Sequence, residues 1–340
     1  MKPPNIFSFA TKELSQDAFI CWLLAWADKA YEKNDLHLSG LAFMQAILKK
    51  YDFENQPIIE TIEIKRQCKK IDILCLLNVS LKDLGNKKQP PENSYAIIIE
   101  DKVGSSQHSG QLKRYTETIK SLGFEDEQIL RVYLKTKDQI HYKEIEAQSY
   151  KPFTRSDFLT VLESYKGENQ ILIEFRTYWQ KVEDETRSYH SLENPNAWRG
   201  FYKALNDAED IGLKQGALGT SSFSTNLASP TYSGLFAQDK QGCRLYVQLC
   251  KNTLNLKIKV TNKLEIKQLR DKWLKLVNAK DLGNGLVIKK PKRLGNGKAM
   301  VIGTLENYIA YEDNKVSLQK TIKNLRGIEQ FISEFETSCE

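Results

Sequence analysis

Residues 96–103 read AIIIEDKV, an apolar run that ends in two acidic residues and a lysine. Earlier in the chain, residues 70–74 read KIDIL, so Asp72 also lies inside a short apolar segment. Such runs predict buried strands, and antiparallel pairing of the two is the simplest arrangement. A buried carboxylate destabilises a fold unless a cation neutralises it, and a divalent metal ion is the simplest such cation. The two segments therefore predict a metal site where the strands end.

Three side chains of these segments predict a particular chemistry. Asp72 and Glu100 offer the carboxylate oxygens that Mg²⁺ prefers, while the ion keeps several of its waters. Lys102 lies two residues beyond Glu100 and therefore on the same face of the strand, where its ammonium group would orient the attacking water or stabilise developing negative charge. Magnesium makes water nucleophilic at neutral pH, and we expect Mn²⁺ to substitute for it. These residues predict metal-dependent hydrolysis of a phosphodiester bond.

The flanking sequence predicts an α/β core in the order helix, three strands, helix, strand. Asp101 would face the opposite side of its strand from Glu100, and we expect it to pair with Lys or Arg on a covering helix. The periodicity of apolar residues and the turn residues predict helices over 15–31, 36–50 and 106–122 and strands over 58–65, 71–77, 95–102 and 129–134.

A stretch rich in Gly, Ser, Thr and Pro, residues 212–233, predicts a linker. It would separate a first domain, residues 1–211, from a second domain, residues 234–340. The first domain includes a helical extension over 157–189, with a break at Gly167, and over 198–206. The second domain is predicted to be α+β, with strands over 245–249, 254–260, 286–289 and 299–303 and helices over 265–277 and 317–335.

Positive charge concentrates in the second domain. Residues 240–298 contain 16 Lys or Arg and three Asp or Glu, a net charge of +13, and the remainder of the +7 chain therefore carries −6. This pattern is typical of a surface that binds nucleic acid, although a solvated lysine-rich face produces it as well. We expect contacts with backbone phosphates from Lys257, Lys259, Lys289, Lys290, Lys292 and Arg293.

Composition argues against several other classes of protein. The four histidines are not clustered, and none of the six cysteines lies in a Cys-x-x-Cys pair or at zinc-finger spacing from histidine. The chain has no glycine-rich phosphate loop. Its longest apolar stretch, 18–27, is too short to span a bilayer, and its first residues lack the basic and apolar regions of a secretion signal. We therefore expect a cytoplasmic protein without a membrane partner.

The spacing of Asp72 from Glu100 and Lys102 resembles the Asp…Glu-x-Lys pattern of the PD-(D/E)XK nuclease superfamily, with Ile71 in place of the proline. Residues 9–24 read FATKELSQDAFICWLL and resemble the opening helix of a bacterial restriction-endonuclease-like branch, in which an acidic residue and a serine precede Trp-Leu-Leu. Residues 111–115, QLKRY, resemble the Gln-x-x-x-Tyr helix of that branch, and residues 150–179 resemble its long helical segment. The resemblance covers roughly residues 5 to 205.

The resemblance implies a restriction-endonuclease-like core and a Mg²⁺-dependent endonuclease, with DNA favoured over RNA as substrate. It places Glu13 beside the metal site as a ligand or base, and it gives Gln111 and Tyr115 a role in binding substrate or in supporting the metal ligands. It also implies a setting in bacterial restriction, phage defence or repair. Because a double-strand cutter often needs two active sites, a homodimer or a partner protein is an open expectation.

Each assignment also has a purely structural alternative. Asp72 can be a turn residue at a strand end, and Glu100 with Lys102 can be an ion pair at a sheet edge. Glu13 suits a helix start through the helix macrodipole alone, Gln111 and Tyr115 can form a packing face, and His108 can be a solvated loop residue instead of a phosphate contact. For the whole chain, the alternatives are a catalytically silent nucleic-acid-binding protein on the same fold and an interaction subunit of a larger assembly.

Overall fold

A computed structural model describes residues 4–53, 55–86, 89–103, 110–139, 142–208, 222–223, 231–240, 243–260, 265–278, 280–283 and 285–334. The chain divides into two compact units, Met1–Glu183 and Asp184–Glu340, called here the N-terminal and C-terminal units. This division lies earlier in the chain than the domain boundary expected after residue 211. Most of the expected linker, 212–233, lies outside the described residues.

The N-terminal unit is built around a five-stranded sheet. Its elements are α1 (Glu13–Ala25), α2 (Asp35–Leu48), β1 (Ile62–Cys68), β2 (Ile71–Leu77), α3 (Leu81–Asn86), β3 (Tyr95–Lys102), α4 (Gln111–Lys120), β4 (Ile129–Lys135), α5 (Lys143–Glu146), β5 (Lys151–Thr154), α6 (Arg155–Glu163) and α7 (Gln170–Arg187), and the division between the units falls within α7. The strands follow the order β1-β2-β3-β4-β5. The first three pair antiparallel, and β3, β4 and β5 pair parallel.

Both faces of this sheet are covered, which explains why its central strands read as continuous apolar runs. Alternate residues of β2 and β3 enter two different cores. One core, which includes Ile73 and Ile99, packs against α1, α2, α6 and α7. The other, which includes Leu74 and Ile98, packs against α4.

The predicted α/β core is confirmed, as are its element order and the antiparallel pairing of β2 with β3. The bounds differ in places. Helix α1 begins at Glu13, without a side-chain cap, and ends at Ala25, where the predicted helix continued to residue 31. Asp28 explains the early end, because its side chain accepts from Ala30 N and starts a separate 3₁₀ turn, Lys29–Tyr31. Strand β5 and the short helices α3 and α5 were not predicted.

The C-terminal unit is also built around a five-stranded sheet, in this case antiparallel throughout. Its elements are α8 (Pro195–Asp207), β6 (Ser222–Phe223), β7 (Thr231–Lys240), β8 (Cys243–Cys250), β9 (Thr253–Val260), α9 (Ile266–Val277), β10 (Ala299–Glu306), β11 (Ala310–Glu312), β12 (Lys315–Ser317) and α10 (Leu318–Glu334). The strand order is β10-β9-β8-β7-β6, with β11 and β12 as a separate pair. The predicted hairpin is confirmed as β8 and β9.

The predicted strand over 286–289 is wrong. This segment makes only isolated bridges, from Val287 to Asp281 and from Lys289 to Thr304. Leu282 N donates to Leu286 O and Ile288 N donates to Lys280 O, whereas Lys289 exchanges two hydrogen bonds with Thr304. The segment therefore changes partner after Ile288 and forms no continuous strand.

The C-terminal sheet has a buried face and a partly exposed one. Gly303 lies against Leu256 and against Val277 of α9, which identifies the buried face as the one that α9 covers. The opposite face is called here the outer face. In β8 and β9 it consists of Arg244, Tyr246, Gln248, Cys250, Thr253, Asn255, Lys257 and Lys259, which alternate with buried residues.

Among the described residues, no helix combines the length and the apolar character that crossing a membrane requires.

Candidate active site

Three carboxylates surround one lysine at the end of the central strands of the N-terminal sheet. Lys102 Nζ lies 2.5 Å from Glu100 Oε1, 3.4 Å from Asp72 Oδ2 and 4.0 Å from Glu13 Oε2. We call these four residues the acid cluster. All four were singled out as site residues from the sequence, and the structure brings them together.

The positions of these side chains follow from strand register and helix packing. The pairing of Ile73 with Ile99 brings the next residues, Asp72 and Glu100, side by side. The backbone N–H of Asp101 donates to Asp72 Oδ2 at 3.3 Å, which helps to fix the Asp72 carboxylate. Glu13 is the first residue of α1 and accepts a hydrogen bond from Val103 N at 3.2 Å. Helix α1 therefore delivers the third carboxylate to the end of β3.

Because the acid cluster is largely buried, its charged groups shift one another's pKa values strongly. Glu100 is fully buried, and burial together with the charge of Asp72 raises its pKa to about 8 even though Lys102 opposes the shift. Burial alone would lower the pKa of Lys102, but the nearby charges of Glu100, Asp72 and Glu13 outweigh it and raise that pKa. The ammonium form of Lys102 is therefore strongly favoured in this arrangement.

The acid cluster fits a divalent cation. With all its groups ionised, three carboxylates and one ammonium group leave two negative charges uncompensated. Glu100 Oε1 lies 2.5 Å from Lys102 Nζ, and within the described part of the chain Glu100 Oε2 accepts no well-aligned hydrogen bond, so Oε2 is the oxygen of Glu100 that is more available to a metal ion. The described residues contain no ready-made cluster of three His, Cys, Asp or Glu side chains of the kind that encloses a metal ion. A partial set of carboxylates can still hold a hard divalent cation that retains several of its waters.

Asp101 faces away from the cluster, as its position in the strand predicts, but its partners differ from the expected Lys or Arg. Its Oδ1 accepts from Gln16 Nε2 at 2.5 Å, and Gln16 Oε1 accepts from Thr136 Oγ1 at 3.0 Å. Asp17 also lies beside Asp101, and among the described residues Asp17 Oδ1 and Asp101 Oδ2 find no hydrogen-bond donor. An amide and a second carboxyl group, both from α1, thus replace the expected cation.

The pairing of Asp17 with Asp101 changes how both carboxyl groups titrate. Both are buried. Burial and the charge of Asp72 raise the pKa of Asp17 to about 6. Burial and the charge of Asp17 raise the pKa of Asp101 well above its usual range. The pair favours a state in which one proton is shared, because two adjacent buried carboxylates repel each other.

Gln111 and Tyr115 lie one turn apart on α4, which packs over the other face of the sheet. Gln111 Nε2 donates to the Tyr115 hydroxyl at 2.6 Å. Tyr115 is buried, and its pKa is raised by burial and further by the charges of Glu100 and Asp72, while Gln111 opposes the shift. The Tyr115 hydroxyl is therefore within electrostatic reach of the acid cluster. His108 lies outside the described residues.

The predicted phosphate-binding residues lie in the C-terminal unit. Lys257 and Lys259 project from the outer face of its sheet. Lys289 lies beside Thr304 at the β10 edge of the same sheet and pairs with Glu306 at 2.8 Å. Lys290, Lys292 and Arg293 follow in an exposed segment. The structure thus brings Lys257, Lys259 and Lys289 to one sheet and puts the other three on the connection beyond it.

Gln16 and Asp17 were not identified as site residues from the sequence, where they were interpreted as first-turn residues of a helix. The sequence did contain a signal. Gln16 and Asp17 follow Glu13 by three and four residues, so the three side chains share one face of α1. Three polar residues on one face of an otherwise apolar helix predict that this face meets polar groups. Their partner Asp101 becomes evident only from the packing of α1 on β3.

A model of the PD-(D/E)XK nuclease superfamily matches residues 4–204, more than half of the 340-residue chain. The matched range contains the whole acid cluster and continues past Glu183 into α8. Comparisons with curated proteins and with solved structures give no match. The matched range agrees with the range over which the sequence resembles this superfamily. The chain therefore belongs to the PD-(D/E)XK nuclease superfamily.

Proposed function

We propose that this chain is a metal-dependent endonuclease that hydrolyses phosphodiester bonds, with the acid cluster as its active site. One observation carries the proposal: the carboxylates of Glu13, Asp72 and Glu100 converge on the buried ammonium group of Lys102. Gathering three acids, of which Glu100 is fully buried, around one buried lysine is unfavourable for folding alone, which favours a functional role for the cluster. Membership of a nuclease superfamily supports a nucleic-acid substrate.

Asp72 and Glu100 would hold a magnesium ion, and Glu13 would be a third ligand or a base. When bound, the ion supplies a water of lowered pKa and neutralises charge on the phosphoryl oxygens. Glu100 contributes from a fixed position because it is buried in β3, and Asp72 is fixed by the Asp101 N–H. Glu13 is more accessible, with 37% of its side chain exposed, which suits a group that exchanges protons with water.

Lys102 would donate hydrogen bonds to the attacking water or to the phosphate. Its raised pKa favours the protonated form, which can donate a proton or stabilise negative charge but cannot accept a proton. Lys102 also donates to the backbone carbonyl of Asp101 at 3.1 Å, and this contact helps to hold its ammonium group near the reacting atoms.

Gln111 and Tyr115 would support this site from α4. Their mutual hydrogen bond orients the Tyr115 hydroxyl, and the raised pKa of Tyr115 keeps that hydroxyl protonated. A protonated hydroxyl near the acid cluster can donate to a carboxylate or to a substrate oxygen. We assign the pair a positioning role.

We further propose DNA as the substrate and restriction, phage defence or repair in the bacterial cytoplasm as the setting. Both follow from the restriction-endonuclease-like branch whose motifs residues 9–24 and 111–115 resemble. The basic residues of the C-terminal unit supply the positive charge that a DNA backbone requires. A homodimer would provide two active sites for cutting both strands.

The test is cleavage of supercoiled plasmid by the wild-type protein and by Lys102→Ala, each with Mg²⁺, Mn²⁺ or a chelator. We expect nicking that requires the metal and is lost in Lys102→Ala. The matched control is Lys113→Ala on α4, because that side chain is 77% exposed, and this variant should cleave like the wild type. Equal cleavage by Lys102→Ala would contradict the proposal. If the wild type leaves the plasmid intact, the same variants are tested on RNA, and failure there as well favours the catalytically silent nucleic-acid-binding protein.

A further inference from the structure

We infer that the outer face of the C-terminal sheet binds single-stranded nucleic acid. A base would stack on the ring of Tyr246, and the ammonium groups of Lys257 and Lys259 would contact the phosphates. The inference rests on the proposed function for the choice of nucleic acid as ligand. It concerns a different unit of the chain from the acid cluster, so the two can fail separately.

In β8 and β9, buried residues alternate strictly with more exposed ones, and this alternation defines the two faces of the sheet. In β9, Leu254, Leu256 and Ile258 are buried, whereas Lys257 is half-buried and Lys259 is exposed. The same alternation continues in β8, where Tyr246 lies between two buried residues. A face that was covered by a further core would carry apolar residues here. In β8 and β9 this face instead presents mostly polar and basic groups, and the aromatic ring of Tyr246 lies among them.

Tyr246 is placed where a stacking platform needs an aromatic ring. It lies directly opposite Lys257 in the β8–β9 register, and Lys257 Nζ lies 5.8 Å from the centre of its ring. Lys257 Nζ also donates to Gln248 Oε1 at 3.0 Å. A cation over an aromatic ring occupies the position that a base takes when it stacks. Because the lysine side chain is flexible, it can leave the ring and pair with a phosphate of the incoming strand.

The charge of the face is complementary to a polyanion. Glu306, a carboxylate at the β10 edge of the sheet, pairs with Lys289 at 2.8 Å. Lys257 and Lys259, by contrast, make no ion pair with any carboxylate among the described residues. Two cations beside one aromatic ring are therefore available for a ligand that carries negative charge and flat apolar surfaces.

A single strand fits this arrangement better than a duplex. The bases of a duplex are stacked on one another and expose only their edges, so a ring on a sheet surface cannot reach their faces. The bases of a single strand can turn outward and stack on an aromatic side chain while the backbone follows nearby cations. The outer face offers a ring and cations on one surface.

The experiment is fluorescence anisotropy with the full chain in a chelator, so that binding is measured without cleavage. The probes are labelled oligo-dT, labelled oligo-U and a DNA duplex of the same length. The variants are Tyr246→Ala, Tyr246→Phe and Lys257→Gln. The matched control is Tyr311→Ala, because Tyr311 lies in β11, outside the outer face, and is 52% exposed. Circular dichroism and thermal melting verify that each variant is folded.

We expect the wild type to bind the single strands more tightly than the duplex. Tyr246→Ala should weaken single-strand binding roughly 5- to 100-fold, since stacking on one aromatic side chain supplies an effect of that size. Tyr246→Phe and Tyr311→Ala should bind like the wild type. Lys257→Gln should lower the slope of log affinity against log salt by about 0.7, the value for one phosphate contact on a single strand. Binding of either oligonucleotide supports the inference, and the tighter of the two identifies the preferred sugar.

Three results would overturn the inference. They are unchanged affinity in Tyr246→Ala, equal losses in Tyr246→Ala and Tyr246→Phe, and a wild type that does not bind single strands. A failed nuclease assay would not have this effect, because binding is measured in a chelator. Conversely, plasmid nicking that depends on Lys102 would support the proposed function even if Tyr246 proves irrelevant to binding.

Discussion

The acid cluster and the outer face use lysine in opposite ways. Lys102 is 6% exposed and lies within 4.0 Å of three carboxylates, so its position is fixed and its ammonium group is part of a dense array of charge. Lys257 and Lys259 project from an accessible sheet face, where they have no carboxylate partner among the described residues. The comparison suits the proposed roles, because a buried lysine held among carboxylates can act at a fixed point in a reaction, whereas a lysine on a more exposed face can pair with a phosphate.

The largest expected effect is the loss of cleavage in a variant of the acid cluster, which would separate the role of this cluster from that of the outer face. Glu100→Gln preserves shape but removes a carboxylate that would hold the metal. We expect the single-turnover cleavage rate to fall by at least about 100-fold, the loss typical of removing one strong electrostatic contact to a transition state. Affinity for oligonucleotides in a chelator should not change.

The control for this variant is Glu117→Gln, because Glu117 lies on α4 with 60% of its side chain exposed. It should cleave at the wild-type rate. If Glu100→Gln also cleaves at that rate, the acid cluster has a structural role, and the contrast between the two regions disappears.

The next effect concerns the pH dependence of stability, to which the buried pair Asp17 and Asp101 should contribute together with Glu100. An acid whose pKa is raised on folding keeps its proton longer in the folded state than in the unfolded state, so stability falls as pH rises. For Asp17 the fall should lie between pH 3.8, its ordinary pKa, and about pH 6, its folded value. A pKa that is about 2 higher in the folded state than in the unfolded state corresponds to about 3 kcal/mol of unfolding free energy. Asp17→Asn should remove most of this fall.

The measurement is urea denaturation of the wild type and Asp17→Asn across this pH range, in a chelator. We expect the stability of the variant relative to the wild type to increase as pH rises. The control Asp271→Asn alters an acid of the C-terminal unit that is 46% exposed, and its pH profile should follow the wild type. Parallel profiles for Asp17→Asn and the wild type would show that Asp17 and Asp101 do not share a proton.

A smaller loss of stability is expected when Gln16, whose amide supports the pair Asp17 and Asp101, is replaced. Gln16→Ala leaves Asp101 Oδ1 without its 2.5 Å donor and removes the acceptor of Thr136. Loss of a partner from a buried polar group destabilises a protein by about 1–3 kcal/mol. Gln45→Ala on α2, where the side chain is exposed, should change the free energy of unfolding by less than about 0.5 kcal/mol. Equal stability of the two variants in urea would contradict the structural role of Gln16.

The smallest change in stability is expected when an exposed lysine of the C-terminal unit is replaced. Lys289→Ala removes an ion pair with Glu306 in which both side chains are more than half exposed. Such pairs contribute little, so the urea midpoint should be unchanged. A clear loss of stability would mean that exposed lysines of this unit are structural, and it would weaken the contrast with Lys102.

The sequence predicted well those parts of the molecule that depend on local pattern. Glu100 and Lys102 share a face because strand side chains repeat every second residue, and the apolar runs around them could only be buried strands. The alternation of Lys257 and Lys259 with apolar neighbours likewise predicted the β8–β9 hairpin. Family motifs then supplied Glu13, which no local rule would have brought to the acid cluster.

The features that were missed depend on tertiary contacts. Asp101 meets Gln16 and Asp17 because α1 packs on the end of β3, and neither sequence separation nor residue type reveals that approach. The segment over 286–289 has the apolar composition of a strand, yet its two bridges go to different partners, Asp281 and Thr304. Pattern predicts a tendency to form a strand, whereas pairing requires a partner that runs alongside.

The most direct test of the account is to measure nicking rate and single-strand affinity in parallel for Lys102→Ala and Lys257→Gln. The account predicts that Lys102→Ala loses metal-dependent nicking and keeps its affinity in a chelator. It predicts that Lys257→Gln binds more weakly and still nicks plasmid when the protein is saturating. Metal-dependent nicking by Lys102→Ala at the wild-type rate would contradict the central claim that the acid cluster is the active site.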